Sequence, residues 1–539
     1  MIQFNRLHLL GLTFLSAIFL WLAWPPLNTF FFVFAGFVPL LFIEDYFYRN
    51  PSAKSIIKLW GYSYLSLLAW NLLTTWWVWN SAGTGSIPAF TLNSLLMTIP
   101  WLLFHSTKKA LGKTYGYFSL VAFWVSFEHL HMRWELTWPW LTLGNVFAKF
   151  PQIVQWYEYT GHLGGSVWVL AINILLFLAL KEYFSNEYRK FEFKSFLPTI
   201  FLILLPIIIS IGMYYTHHDI GNKVNITVVQ PNIDPYEMKF RSSTYEEQWN
   251  RLLSLSKKGT TSETKFIVWP ETSIPGRVWI DRMDETKSVK RIKEFMRDSL
   301  PAATLVTGVD AYEMYDTKKT VTAREFSDGE CCYDAFNSAF QMDSSGVVEI
   351  YQKSKLVPGV ERMPYPQVFG FLENFAMDLG GTSGSLGTQE EREVFVTKDN
   401  LKVGAAICYE SVFGEFVTEY VRKGAQSIFI VTNDAWWFNT PGHKQHLAYA
   451  SLRAIETRKS IARAANTGIS CFINQRGDIQ QATKYEETTA INQDIYFNDI
   501  KTFYTRYGDL AGRISIFMSI YFLVLPFIKK FRLKRSSLK

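Results

Sequence analysis

Between Leu7 and Tyr215, seven apolar stretches of about membrane-spanning length follow one another with almost no polar chain between them. They lie near Leu7–Trp24, Leu27–Ile43, Ile57–Trp79, Phe90–Phe104, Tyr115–Glu128, Ser166–Leu180 and Phe196–Tyr215, and an eighth lies near Ile514–Ile528. One such run could be a buried core helix; a succession of seven argues for a polytopic membrane domain. Composition agrees, with 49% hydrophobic, 17% aromatic and only 19% charged residues, the last below the roughly 25% of an average soluble domain. This much apolar surface excludes a disordered chain. With 32 Gly, 20 Pro and 4 Cys, collagen-like and disulfide-scaffold chains are excluded too. A formal charge of +7 over 539 residues does not by itself imply a nucleic-acid partner, and none is expected.

Loop charges predict the orientation. Alternate connections carry Arg49, Lys54 and Lys58, then Lys108, Lys109 and Lys113, then Lys181, Arg189, Lys190 and Lys194. Those between them are nearly free of Lys and Arg: Asn80–Ala89 has none. Beyond Ile528 follow Lys529, Lys530, Arg532, Lys534, Arg535 and Lys539. An even number of spans puts both termini on one side, and the positive-inside rule makes that side the cytoplasm. The expected layout is helices 1–7 over 1–215, an extracytoplasmic domain over 216–510, helix 8 over 511–530 and a basic cytoplasmic tail over 531–539. Residues 1–24 lack a small-x-small cleavage site and are expected to stay as a span rather than leave as a signal peptide. Trp76, Trp77, Trp79, Trp134, Trp138 and Trp140 fall at predicted outer span ends, where indoles favour the interface.

From about Thr216 to Leu510 the texture is that of a water-soluble α/β domain. Four short apolar runs read as buried strands that end in polar residues: Ile226–Gln230, Phe266–Trp269, Val403–Ile407 and Ser427–Val431. Such strand ends are where α/β folds place reactive groups. Ser288–Ser299 and His446–Ala465 read as helices. Cys408, just past Ile407, is the candidate nucleophile, although a buried structural thiol is the commoner fate of a lone Cys. Glu271, after Trp269-Pro270, suits a general base whose pKa an apolar strand end would raise. Lys353 and Lys355 lie two apart in the extended run Val347–Val357 and share a face, so periodicity does not choose between them as the ammonium that steadies an oxyanion. Cys331 and Cys332 sit in a polar, loop-like stretch where a disulfide is possible, and Cys471 reads as core. His443 and His446 match part of a metal-ligand set without the rest of the spacing; they are expected to be surface or helix-start residues, and no metal or cofactor is expected.

Trp269-Pro270-Glu271, Tyr351-Gln352-Lys353 and Ile407-Cys408-Tyr409-Glu410 resemble the Glu, Lys and Cys motifs of the nitrilase (carbon–nitrogen hydrolase) superfamily. The order of spans and outer domain is similar to its membrane-embedded branch, the bacterial apolipoprotein N-acyltransferases. Val229–Ile233, Leu356–Pro358, Asn433–Trp436, Tyr504–Gly508 and Trp138–Leu141 with Gly144 extend the resemblance over nearly the whole chain. It implies eight transmembrane helices with an extracytoplasmic αββα sandwich in the bacterial inner membrane. It also implies Glu271 as general base, Lys353 rather than Lys355 as oxyanion lysine, and Cys408 as acyl-accepting nucleophile. Glu361, Tyr409 and Glu410 would be supporting residues, and Lys239, Phe240, Trp436, Trp437 and Phe438 would line a lid or substrate entrance. Two departures stand out: Pro358-Gly359-Val360-Glu361 replaces the usual Pro-Phe-Gly-Glu, and Lys239-Phe240 replaces a Lys-Trp pair. The implied partners are a phospholipid acyl donor and a diacylglyceryl-modified apolipoprotein acceptor, acted on by a monomer. The rivals are a membrane-tethered hydrolase of soluble amides or nitriles using the same three residues, and a transporter or scaffold with an inactive outer domain.

Overall fold

The computed structural model describes residues 4–185, 192–326, 331–346, 348–365, 367 and 385–536, with backbone alone over 531–536. The chain forms two compact units: Met1–Trp76 with Ser86–Thr216 and Tyr507–Lys539, and Trp77–Gly85 with His217–Arg506.

The first unit is helical. It contains α1 (Arg6–Ala23), α2 (Val38–Arg49), α3 (Ser55–Thr75), α4 (Ser86–Leu111), α5 (Lys113–His131), α6 (Tyr157–Ser185), α7 (Phe193–Thr216) and a closing helix, Leu510–Ser536. Among the described residues, six helical stretches are long and apolar enough to cross a membrane. One of them, Ser55–Leu111, is 57 residues long and contains both α3 and α4. Close approach is built in at Gly144, where an added Cβ would lie 1.8 Å from the His162 carbonyl oxygen. The ends of α2, α4 and α6 meet in a buried ionic cluster. Glu44 accepts from His105 Nδ1 at 2.8 Å and from Lys108, and Asp45 pairs with Lys181 and Arg49, each at 2.6 Å. Basic residues that the loop pattern assigns to three separate connections thus converge on two buried carboxylates. Removing one partner of such a group strands a charge, which costs about 3–5 kcal/mol. Trp140 is buried rather than interfacial.

The second unit is a four-layer α/β sandwich. One sheet has eight strands. Its main path runs β14 (Thr489–Phe497), β1 (Asn222–Gln230), β2 (Thr264–Val268), β4 (Thr304–Tyr315), β6 (Cys332–Met342), β5 (Arg324–Glu325); β3 (Val278–Trp279) pairs with β4 and β7 (Val348–Gln352) with β6. The other sheet has six, in the order β13 (Ile479–Gln480), β12 (Cys471–Ile473), β11 (Ile461–Ala465), β10 (Ser427–Thr432), β9 (Lys402–Ile407), β8 (Val394–Val396). The central pairs β1–β2, β2–β4, β9–β10 and β10–β11 are parallel. Parallel strands are covered on both faces, which is why these runs are continuously apolar. On β2, Ile267 packs with Trp249 and Leu252 of α8 (Tyr245–Gly259) and Ile292 and Met296 of α9 (Lys287–Ser299). Its neighbour Phe266 turns to the opposite sheet and meets Phe429 of β10, ring centroids 5.2 Å apart. The outer face of the six-stranded sheet carries α10 (Gly414–Arg422), whose Tyr420 fills the space beside Gly404, and α11 (Pro441–Thr457).

The helix expected over His446–Ala465 ends earlier. α11 stops at Thr457, Arg458 takes a left-handed conformation (φ 52°, ψ 38°), and Ile461–Ala465 is strand β11 between β10 and β12. Alanines in that run fit a tight central strand as readily as a helix, and ladder pairing on both sides decides. Trp77 is also not an interfacial anchor: in this unit it is buried, 4.8 Å from the Trp437 ring, with its indole N–H donating to Gln445 Oε1 at 3.1 Å. Trp76 and Trp79 are about half exposed.

Candidate active site

The C-terminal ends of parallel strands leave backbone groups and side chains unpaired by the ladder, and those of β2, β9 and β10 meet here. Trp269-Pro270 carries the chain from β2 over the neighbouring strand: Gly308 of β4 donates its N–H to the Pro270 carbonyl at 3.1 Å. A Cβ on Gly308 would fall 2.5 Å from Glu271 Cα, so the space for this turn exists only because residue 308 has no side chain. Glu271 is buried. Its Oε1 accepts from Asn337 Nδ2 at 2.7 Å and Lys353 Nζ at 3.2 Å, and its Oε2 accepts from the Asn433 backbone N–H at 3.0 Å. One carboxylate thereby ties the eight-stranded sheet to the six-stranded one.

Lys353 follows β7, and its N–H bonds the Asn337 carbonyl at 2.8 Å. Its ammonium donates to Glu361 Oε1 at 2.8 Å as well as to Glu271. Asn337 Nδ2 also reaches Glu361 Oε1 at 3.0 Å, and Glu361 Oε2 takes the Val357 N–H at 2.8 Å. Lys355 does not share this face, because the strand stops at Gln352 and alternation ends with it. The Lys355 N–H lies 3.3 Å from Glu410, and its ammonium stands 5.4 Å from the Phe413 ring.

Cys408 caps β9 with φ +49°, a left-handed conformation that costs a non-glycine residue of order 1 kcal/mol or more. The kink is fixed through its carbonyl, which accepts from Ser411 Oγ at 2.7 Å and lies 3.1 Å from His446 Nε2. His446 Nδ1 is 3.0 Å from Asp434 Oδ1, and Arg463 donates to Asp434 Oδ2 at 2.7 Å. Glu410 braces the same turn: it accepts from the Ile407 N–H (2.9 Å), the Ser354 N–H (2.7 Å), Tyr351 OH (2.7 Å) and Tyr420 OH (3.2 Å). Tyr409 is buried edge-on to Phe413, ring centroids 5.0 Å apart.

The electrostatics differ from the sequence expectation. Burial pushes the Glu271 carboxyl up, but the Lys353 ammonium, the Asn337 amide and Lys239 outweigh it and hold it below its ordinary value. Burial would lower Lys353, yet Glu361 and Glu271 raise it well above its ordinary value. The Cys408 thiol is raised by burial first and by Glu271 second, with Lys353 only partly opposing. The resting arrangement is therefore an ionised carboxylate and ammonium beside a protonated thiol. An apolar strand end does not set the character of Glu271, because three donors converge on it.

Of the expected entrance residues, Lys239 bonds Thr272 Oγ1 and lies 5.6 Å from the Phe240 ring and 5.9 Å from the Trp436 ring. Phe240 and Phe438 are 56% and 50% exposed, and Tyr236, 47% exposed, stacks on Phe438 at 5.8 Å and meets Trp436 edge-on at 5.5 Å. Trp437 turns the other way, against Trp77 and His446. His443 and His446 open α11 but are buried, not surface, residues; His443 binds Asn439 Oδ1 at 3.1 Å and stacks on Tyr485, so the pair does not converge on a common point. All four cysteines are free. Sequence reasoning missed Asn337 and Arg463, and it missed the bracing role of His446, which it weighed only as a metal ligand. No local signal marks them, since each lies inside a strand or helix and acquires its place through pairing.

Strand ends presenting a carboxylate, an ammonium and a thiol across a four-layer sandwich fit the carbon–nitrogen hydrolase class, whose family profile matches residues 225–503. A second profile, the apolipoprotein N-acyltransferase N-terminal domain, matches residues 16–175. An apolipoprotein N-acyltransferase of Chlorobaculum tepidum is 32% identical over 472 residues, 84% of this chain and 85% of the relative. One from Geobacter metallireducens is 28% identical over 430 residues, covering 78% of this chain and 76% of the relative. Apolipoprotein N-acyltransferase 2 of Treponema denticola is 25% identical over 527 residues, 93% and 94% of the two chains. The chain belongs to the apolipoprotein N-acyltransferase family: it is a bacterial membrane acyltransferase that N-acylates lipoproteins.

Proposed function

We propose that the chain moves a fatty acyl group from a phospholipid to the α-amino group of an S-diacylglyceryl cysteine at a lipoprotein N-terminus, through a thioester on Cys408. Glu271 takes the thiol proton as sulfur attacks the ester carbonyl. The Lys353 ammonium steadies the tetrahedral oxyanion, the C–O bond breaks, and Glu271 returns the proton to the departing lysophospholipid oxygen. The acceptor amine then attacks the thioester, Glu271 takes a proton from it, the C–S bond breaks, and the thiolate is reprotonated. Splitting ester-to-amide transfer in this way gives ping-pong kinetics. Glu361 holds Lys353 in place, Glu410 braces the strand ends, and Tyr409 packs beside the nucleophile.

The observation that carries this reading is the convergence of Glu271, Lys353 and Cys408 in one electrostatic cluster, with the acid ionised and the thiol protonated. In the same reading the first unit and the closing helix cross the inner membrane eight times with both termini cytoplasmic. Residues 216–510 stand on the periplasmic side as a monomer's catalytic domain, where lipid-anchored substrates reach them. The positive-inside pattern and the family of the N-terminal half support this layout. The test is mass spectrometry of the full-length protein incubated with phospholipid vesicles alone. A hydroxylamine-labile fatty-acyl mass on the Cys408 peptide, with lysophospholipid released, is expected. Near-normal transfer by Cys408→Ala sinks the proposal.

A further inference from the structure

Asp310 sits on β4 directly opposite Asn337 on β6. Opposed residues of an antiparallel pair share a face, and the Asn337 amide on that face binds both Glu271 and Glu361. Gly308, two residues before Asp310 and so on the same face, lies against the Glu271 backbone. Asp310 is therefore a third carboxylate of this site. Glu271 and Glu361 are fully engaged, each accepting three hydrogen bonds. Asp310 is different: among the described residues its carboxylate makes no hydrogen bond or ion pair, and the residue is partly exposed.

The charges around it leave room for a cation. Glu271, Glu361 and Asp310 bring three negative charges; Lys353 and Lys239 bring two positive ones, and the Lys239 ammonium is committed to Thr272. The nearby Asp434 is matched by Arg463. The cluster is one positive charge short. The substrate that meets this need is the acceptor: an α-amino group has a pKa of about 8 and arrives mostly as an ammonium, which cannot attack a thioester until it loses a proton.

Resting on the acyl-transfer reading above, we propose that Asp310 binds the α-ammonium of the incoming lipoprotein and takes its first proton. The N–H electron pair becomes the nucleophilic lone pair, the amine nitrogen bonds the thioester carbon, and Glu271 receives the second proton after attack. The C–S bond breaks, the thiolate regains that second proton, and the proton on Asp310 leaves to water. Burial and the neighbouring Glu271 and Glu361 lift the Asp310 carboxyl to about 6 despite Lys239, which makes it a stronger base than an ordinary carboxylate while still ionised at neutral pH. Asp310 has no part in the first half-reaction, where the donor brings no ammonium to the carbonyl.

The test separates the two halves in the full-length protein. Phospholipid vesicles alone load Cys408, and a synthetic S-diacylglyceryl lipopeptide with a free amine is then added. Asp310→Asn is expected to load Cys408 within about twofold of the unchanged protein but to discharge it about a hundredfold more slowly at pH 7. Its KM for lipopeptide is expected to rise, and the deficit to shrink above pH 8 as the amine becomes neutral unaided. Asp310→Glu, which keeps the charge, is expected to recover part of the rate. Normal discharge by Asp310→Asn overturns the inference and leaves the reading intact. Equal loss of loading and discharge in both variants also overturns it, marking a merely structural residue. Failure of the unchanged protein to load Cys408 overturns the acyl-transfer reading itself, and the inference with it.

Discussion

The two sheets of the second unit hold their candidate catalytic groups in opposite ways. On the eight-stranded sheet the groups hold one another: Glu271, Lys353, Glu361 and Asn337 form a closed set of charge-assisted bonds. On the six-stranded sheet the sulfur is steadied by the Thr432 hydroxyl of β10 rather than by a closed set of charge-assisted bonds. The Cys408 backbone is clamped through its carbonyl, and the clamp is stiffened behind by His446, Asp434 and Arg463. The difference matches the expected chemistry. Groups that trade protons need fixed mutual distances, whereas a nucleophile that gains and loses an acyl chain needs a fixed base and a lightly held tip.

The largest expected effect comes from opening the closed set. Lys353→Met leaves Glu271 and Glu361 sharing Asn337 with no cation between them. Transfer is expected to fall about a thousandfold or more, since one oxyanion donor is worth about 10²–10³ in rate and the base is disturbed as well. The Glu271 carboxyl, released from its largest lowering influence, rises, so the acid limb of any residual loading rate moves to higher pH. A pH–rate profile of Cys408 acylation checks this; an unmoved limb would break the idea that the eight-stranded sheet works as one electrostatic set.

Next comes the charged end of the clamp. Burial acts to raise Asp434, but Arg463 and then His446 hold its carboxyl well below the usual range. A carboxyl depressed on folding contributes stability that is complete above its unfolded value of about 4; the contribution is lost progressively as pH falls from there toward the folded value. Asp434→Asn, which strands Arg463, is expected to cost about 3 kcal/mol of unfolding free energy. The gap should be constant from pH 5 to 8 and narrow only below pH 4. Denaturation of both proteins across that range measures it.

His446→Ala tests the uncharged end. It removes the link between Asp434 and the Cys408 carbonyl without touching the opposite sheet. A drop in transfer of about ten- to a hundredfold is expected, the usual scale for a loosened catalytic geometry. Alkylation of Cys408 should keep its pH dependence, because burial, Glu271 and Lys353 lead that dependence and all remain, and Asp434, a smaller contributor, keeps its Arg463 partner. A shifted alkylation profile would show that the two sheets do not divide the work in this way.

How far this could be read from sequence follows the same division. The strands that end at Glu271 and Cys408 were legible because continuous apolar runs with polar stops are what doubly covered parallel strands require. Lys353 and Lys355 were not separable by period, since the deciding fact is where β7 stops, and its pairing with β6 sets that. His446–Ala465 was misread because its alanine-rich end suits either structure until β10 and β12 flank it. Asn337, Asp310 and Arg463, and the role of His446, were invisible for a related reason: a side chain in mid-strand or mid-helix acquires its chemistry only through neighbours remote in sequence. In the first unit, helices were legible from length and apolarity, but the convergence of Glu44 and Asp45 on Lys108 and Lys181 was not.

The smallest expected effect separates the buried interior from the exposed aromatics at Tyr236, Phe240 and Phe438. The resemblance implies that Trp436–Phe438 line a lid or substrate entrance. Exposure near one half for Phe438, and contact of the partly buried Trp437 with the buried Trp77, divides that run into an outward and an inward residue. Phe438→Ala removes a side chain that shields little beyond the Tyr236 ring, so unfolding free energy is expected to change by no more than about 0.5 kcal/mol. If the outward ring meets lipid, transfer from vesicle phospholipid should fall a few-fold while transfer from a short-chain, detergent-dispersed donor stays unchanged, because only the first donor must be drawn from a bilayer. Equal loss with both donors would place Phe438 with the acyl chain in the site rather than with the membrane. A stability loss of several kcal/mol would return it to the core and erase the contrast between rim and interior.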